Sequence, residues 1–140
     1  LYHVLEGLFK KDYRYCEYSH YYYCLKCHSN RMMMIPCRLV NNFDFKQYPV
    51  ANVCAEYLSS IYEQPVICIS AVDPMIVEKN PTLRQVRQLR TVLSYMYDYI
   101  KVCKQKEELL HILEPRLYFM MGTEMLSIKD FEDVFIAYKK

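Results

Sequence analysis

Tyr21-Tyr22-Tyr23-Cys24-Leu25-Lys26-Cys27-His28 is an aromatic, strand-like run that ends in a C-x2-C pair, with Cys16 upstream of it. Two thiolates on a tight turn take two of the four positions around a tetrahedral zinc ion, and strands on either side hold such a turn. Cys24 and Cys27 are therefore the expected metal ligands, one half of a site whose other half lies elsewhere. Within the chain, Cys16, His20, His28 and Cys37 are the nearest residues able to complete it. The spacing Cys16-x7-Cys24-x2-Cys27-x9-Cys37 matches no standard finger. Without a metal, Cys24 and Cys27 are two structural thiols on a hairpin. A redox-active C-x2-C is disfavoured, because it needs its first cysteine at a helix N-terminus in a βαβ pattern. Here the pair follows a tyrosine run and precedes Met-rich sequence.

Outward from the pair, residues 13–40 read as β and loop. Arg31 to Ile35 is predicted to pair antiparallel with Tyr21 to Cys24 across the knuckle, and Pro36 ends that strand or puts it at an edge. Met32, Met33 and Met34 read as adaptable core filler. After the Tyr48-Pro49 turn, Asn52 is a plausible N-cap for a helix to about Glu63, with Val53, Tyr57, Leu58 and Ile61 on one face and Pro65 closing it. Val66 to Ile69 is a buried extended segment or a docking linker.

The strongest periodic signal runs from Pro81 to about Lys106. Leu83, Val86, Leu89, Leu93, Met96, Ile100 and Cys103 form one seam facing a partner helix or the core, with Arg84, Arg87, Arg90, Lys101 and Lys104 off it. Glu107 to Leu113 extends this helix until Pro115 breaks it, and Gly122 marks a turn. Ser127 and Asp130 form a capping-box variant opening a last helix, with Ile128, Phe131, Val134, Phe135 and Tyr138 inward. The sum is a mostly α domain with a small zinc-ribbon-like β-hairpin near the N-terminus, a hairpin over 13–40 and a helical body over 50–140.

At 140 residues and a net charge of +2, the chain is one domain's worth and gives no electrostatic case for a dedicated nucleic-acid binder. Seven cysteines without a signal peptide or a membrane-length apolar run point to reduced thiols. Cys54, Cys68 and Cys103 read as small hydrophobes in the core. His111 sits in an apolar helix as a satisfied side chain. The two glycines argue against a Gly-rich nucleotide loop, and no flanking signature supports a cysteine nucleophile. The chain opens on Leu1 rather than Met, so it is expected to be part of something longer.

Four blocks in unbroken order carry a family likeness: Arg14-Tyr15-Cys16-Glu17-Tyr18, Tyr22-Tyr23-Cys24-x-x-Cys27-His28, Ile35-Pro36-x-Arg38, and Phe43-Asp44-Phe45-Lys46-x-Tyr48-x-Val50-x-Asn52. The likeness continues more loosely through Val86-Arg87-Gln88-Leu89-Arg90, Cys103-x5-Leu109-Leu110, Leu117-Tyr118 and Leu126-Ser127. The chain resembles the Rubicon homology domain of Rubicon, Pacer and certain pleckstrin-homology endolysosomal adaptors. That resemblance implies a non-catalytic, zinc-containing helical module. It would bind a late-endosomal Rab GTPase in its GTP form and regulate autophagosome and endosome–lysosome trafficking. It also implies a cytoplasmic domain held peripherally on late endosome, lysosome or autophagosome membranes. The family has a further C-x2-C upstream and a Cys/His-rich tail downstream, neither within this sequence, so the chain is expected to be the central part of such a domain. Cys37 stands where relatives carry a small residue, so it is not expected as a shared ligand. A degenerate zinc ribbon contacting nucleic acid or anionic lipid is the alternative function.

Overall fold

The computed structural model describes residues 12–114 and 116–138. The chain divides at Ser60 and Ile61 into two compact units. Each has its own buried side chains and its own strand pairing.

In the first unit, β1 (Tyr13–Tyr15) pairs antiparallel with β2 (Tyr22–Cys24), setting Tyr13 opposite Cys24 and Tyr15 opposite Tyr22. β3 (Arg31–Met34) pairs instead with β4 (Gln47–Val50), from Arg31 opposite Val50 to Met34 opposite Gln47. This corrects the predicted pairing of Arg31–Ile35 with Tyr21–Cys24. The reason lies in the turns. Cys16 and Tyr21 close the β1–β2 hairpin through Cys16 N to Tyr21 O at 2.9 Å, with His20 in the left-handed region at φ 59. At the knuckle, Cys27 N and His28 N both donate to Cys24 O, so the chain turns away from β2 and does not fold back along it.

Pro36 does more than end β3. It opens helix α1 (Pro36–Asn42), where its fixed φ suits the first turn, and left-handed Phe43 closes the helix by donating to the Arg38 and Leu39 carbonyls. Helix α2 (Asn52–Ser60) stops short of Glu63. Its last two serines bond back to the Ala55 and Tyr57 carbonyls, an alternative to continued helix. Its inward face is Cys54, Ala55 and Leu58, while Val53 and Tyr57 are exposed, a rotation from the predicted face. These small residues pack beside Cys16, Ile35, Leu39, Val40, Val50 and Ala51, all buried.

In the second unit, β5 (Ile67–Cys68) pairs with β6 (Met125–Leu126). Around them run the short helices α3 (Ile69–Val72) and α4 (Ile76–Lys79), the long α5 (Pro81–Val102), α6 (Lys106–Leu113), α7 (Tyr118–Met121) and α8 (Ile128–Tyr138). Asn80 caps α5, its Oδ1 accepting from Thr82 N and Leu83 N at 2.9 and 3.0 Å, with Pro81 in the first turn as expected. The helix ends at Val102, earlier than predicted, because Cys103 is extended and Lys106 starts a new helix. Pro115 lies outside the described residues. The Ser127–Asp130 capping box forms reciprocally, Asp130 N to Ser127 Oγ at 3.0 Å and Ser127 N to Asp130 Oδ2 at 2.8 Å. Ile128 and Phe131 are buried, and Val134 and Phe135 half-buried; the Tyr138 side chain lies outside the described residues.

The predicted seam holds at Leu83, Val86, Leu93, Ile100 and Cys103, which are buried or half-buried, and is corrected at Leu89 and Met96, which are exposed. Arg90 and Tyr97 join the inward line. Arg90, expected outside, is 2% exposed. Its Nη1 donates to Met125 O at 2.7 Å and Nη2 to Gly122 O at 2.6 Å, and its guanidinium lies 4.6 Å from the Phe119 ring centroid. Burial lowers its pKa, partly offset by nearby Asp130. Because Arg90 satisfies the Gly122 and Met125 carbonyls, Arg90→Met is expected to lower the unfolding free energy by ~2–4 kcal/mol in urea titration. Arg87→Met, which removes only a surface pair with Glu124, is expected to change it by less than ~1 kcal/mol.

Candidate functional site: a cysteine knuckle and an exposed helix face

The knuckle is held from three directions. Its own turn is closed by Cys27 N to Cys24 O at 3.0 Å and His28 N to Cys24 O at 3.1 Å. Arg14 Nη1 donates to His28 O at 2.6 Å. Asn52, predicted as an N-cap, instead clamps the turn. Its Oδ1 accepts from Ser29 N at 3.1 Å and Ser29 Oγ at 2.7 Å, its Nδ2 donates to Lys26 O at 3.1 Å, and its backbone N–H donates to Cys27 O at 2.8 Å.

Cys24 and Cys27 are both exposed. The Cys27 backbone N–H, then the Cys27 thiol and the Lys26 N–H, lower the Cys24 pKa. Cys27 is raised by its hydrogen bond to Cys24 and by the charge there. Two neighbouring thiols on one turn, the first favoured as the thiolate, are the kind of donors that half a zinc site uses.

The four residues nearest in sequence do not join them. Cys16 is fully buried and accepts from Ala51 N at 3.3 Å. The His20 Nδ1 bonds Tyr15 OH at 2.8 Å. Cys37 sits on α1 beside Asn41 Nδ2 at 3.3 Å. The buried His28 ring accepts Asn30 N–H at Nδ1 at 3.2 Å, and its Nε2 has no hydrogen-bond partner among the described residues. Among the described residues no three His, Cys, Asp or Glu side chains converge as a metal site.

The second feature is what α5 turns outward. Leu89, Val92, Met96 and Tyr99 are 65%, 56%, 49% and 78% exposed, and Tyr95 and Val102 beside them are 69% and 84% exposed. Leu89, Val92, Met96, Tyr99 and half-buried Cys103 repeat the three–four spacing of the buried seam, so this one helix carries two apolar stripes. From Thr91 to Cys103 its charged side chains are Asp98 and Lys101, ion-paired at 3.0 Å. A cavity of about 300 Å³ lies along Val86, Leu89 and Leu93 against Phe119 and Val134, and one of about 370 Å³ along Met96, Tyr99, Ile100, Cys103 and Leu109. Each such side chain gains about 1.5–3 kcal/mol on full burial, so a stripe of this size is a surface that a partner would gain by covering. The sequence missed it because hydropathy alone merges the two stripes. The other sequence-chosen helix, α2, shows the smaller exposed pair Val53 and Tyr57, the latter ring 6.2 Å from that of Tyr18.

Of the remaining thiols, Cys54 is core, while Cys68 and Cys103 are half-buried. His111 is exposed and lies 3.5 Å from Glu114 Oε2. Among the described residues no helix is long and apolar enough to cross a membrane.

The chain matches the Rubicon Homology Domain over residues 14–138. It is 32% identical over 91% of its length to human "Pleckstrin homology domain-containing family M member 3". It is 36% identical over 71% of its length to mouse "Run domain Beclin-1-interacting and cysteine-rich domain-containing protein". It is 33% identical, again over 71%, to human "Protein associated with UVRAG as autophagy enhancer". It spans 17%, 10% and 15% of those three proteins.

Asn52→Ala removes three side-chain hydrogen bonds to Lys26 and Ser29 while leaving Cys24 and Cys27 in place. The expected result is amide hydrogen exchange at residues 26–30 at least tenfold faster (about 1.4 kcal/mol), with the second unit unchanged.

Proposed function

The chain belongs to the Rubicon homology domain family, and we propose that it acts as a non-catalytic adaptor domain that binds a late-endosomal Rab GTPase in its GTP form. The observation that carries this is the outward stripe of α5. Rab switch regions offer a shallow apolar surface, and a helix presenting tyrosine and methionine anchors beside small apolar cavities suits it. Tyr95, Met96 and Tyr99 are the anchors we assign to it. Such binding places the domain peripherally on late endosomes, lysosomes or autophagosomes through its partner. A role in autophagy agrees with the name of the relative called an autophagy enhancer.

Zinc belongs to the same proposal. Cys24 and Cys27 would hold it, with the remaining ligands outside the described residues, and it would fix the knuckle relative to β2.

The alternative of nucleic-acid or anionic-lipid contact loses its support on α5. Arg84 lies 3.6 Å from Glu78, Arg87 3.0 Å from Glu124 and Lys101 3.0 Å from Asp98, and Arg90 is buried. Of the five basic residues picked from the sequence that leaves Lys104 without an ion pair among the described residues, too little for an electrostatic footprint.

Pull-down with the Rab loaded with a GTP analogue or GDP tests the main reading. Preference for the GTP form is expected, with Tyr95→Ala/Tyr99→Ala weakening binding at least tenfold (about 1.4 kcal/mol) and Val53→Ala/Tyr57→Ala changing it little. Equal binding to both nucleotide forms sinks the proposal. For the metal, elemental analysis of the purified protein is expected to show zinc that is lost in Cys24→Ser/Cys27→Ser; zinc retained in that variant removes the knuckle as its holder.

A further inference from the structure

We propose that the cavity beside Leu89 is a binding site for a tyrosine side chain of a partner protein. The ring would lie on the apolar wall, and the hydroxyl would be shared between Arg90 Nε and Asp130 Oδ1. This rests on the reading of α5 as the partner surface and names the group that the partner inserts. The cavity, of about 300 Å³, lies wholly in the second unit. Val86, Leu89 and Leu93 of α5, Phe119 of α7, Leu126 of β6 and Val134 of α8 form its apolar wall. Leu89 is exposed and begins the outward stripe, and Val86, Leu93, Phe119 and Val134 are half-buried. The wall therefore reaches the surface, and a side chain presented to α5 has a way in.

Charged side chains complete the lining. Arg116 and Asp133 are half-buried and ion-paired to each other. Arg90 and Asp130 differ in being buried, each 2% exposed. Each of these two also has one polar atom without a hydrogen-bond partner among the described residues. The Arg90 Nη1 and Nη2 atoms are taken by Met125 O and Gly122 O, which leaves Nε–H over. Asp130 Oδ2 accepts from Ser127 N and Tyr118 OH. Its Oδ1 has the ion pair with Arg116 Nε at 3.3 Å but no hydrogen bond. Buried polar groups are nearly always paired, so two orphans on residues lining one cavity call for a group that the described residues do not supply.

The two unpaired atoms specify the chemistry of that group. Arg90 Nε–H needs an acceptor and Asp130 Oδ1 needs a donor, and a hydroxyl is both. Phenylalanine meets neither need. Tryptophan, lysine and arginine only donate, and ionised aspartate and glutamate only accept. Serine and threonine carry a hydroxyl but too little apolar surface for a wall of six apolar residues. Tyrosine joins a broad apolar ring to a hydroxyl at its tip, which matches an apolar wall with a buried donor and acceptor.

The test is a titration with p-cresol, the tyrosine side chain as a free molecule, set against toluene, the phenylalanine one. The purified, zinc-supplemented protein is nitrogen-labelled, and NMR follows its backbone amide and arginine Nε–H resonances. The expected result is a saturable shift of the Arg90 Nε–H resonance by p-cresol, with binding at least about tenfold tighter than that of toluene. Val134→Phe fills the cavity and leaves Arg90 and Asp130 in place, and is expected to weaken p-cresol binding by a similar factor. An Arg90 Nε–H resonance that does not move overturns the proposal. So does equal binding of toluene, the pattern of a cavity whose polar atoms hold only water. The wild-type titration decides the matter even if the variant does not fold. It uses no Rab, so a failure here with the nucleotide preference intact removes this inference alone.

Discussion

Arg90 fixes the rotation of α5. Its guanidinium donates to the carbonyls of Gly122 and Met125 and lies over Phe119, so the helix must present position 90 to the interior. Once that is set, helical geometry leaves no choice for the residues around it. Leu83, Val86, Leu93 and Tyr97 follow Arg90 inward, and Leu89, Val92, Met96 and Tyr99 are carried outward. A leucine at position 90 would let the helix settle with its most apolar line inside. The arginine prevents this, because two loop carbonyls depend on it and an unsatisfied buried carbonyl costs about 1–3 kcal/mol. An exposed tyrosine and methionine stripe is the structural consequence.

That consequence explains where sequence reasoning succeeded. Features governed by neighbours in sequence were legible: Pro81 in a first turn, the Ser127–Asp130 capping box and the turn at Cys24–Cys27 all formed as expected. Pro36 was legible in principle, since its fixed φ suits a first helical turn as well as a strand end, yet only the strand end was read from it. Features set by distant partners were not. Arg31–Met34 and Tyr22–Cys24 are both good strands, and nothing local says that their partners are Gln47–Val50 and Tyr13–Tyr15. Val53 and Tyr57 are larger apolar side chains than Cys54 and Ala55, but the small residues fit the core of the first unit.

At the knuckle the boundary falls between ligand identity and ligand completeness. The C-x2-C spacing located two thiols that the fold does present on one turn. The sequence left open four completions within the chain, and among the described residues none of them converges with the pair as a metal site. Cys16 accepts from Ala51, His20 bonds Tyr15, His28 accepts from Asn30 and Cys37 lies against Asn41. Each is placed by a bond to a backbone amide or side chain outside the motif, which spacing does not encode.

Asn52 shows how tightly the two kinds of information interlock. Its position before an apolar helical pattern suggests a cap, and it does stand at the first residue of α2. Its side chain, however, reaches back to Ser29 and Lys26, joining the start of α2 to the turn that carries Cys24 and Cys27. The knuckle is thereby stiff without requiring an ion to shape it. The proposed metal would add to a turn already formed by hydrogen bonds, and would anchor that turn to whatever supplies the other ligands. The proposed partner recognition has a different physical basis, the apolar stripe that Arg90 turns outward on α5.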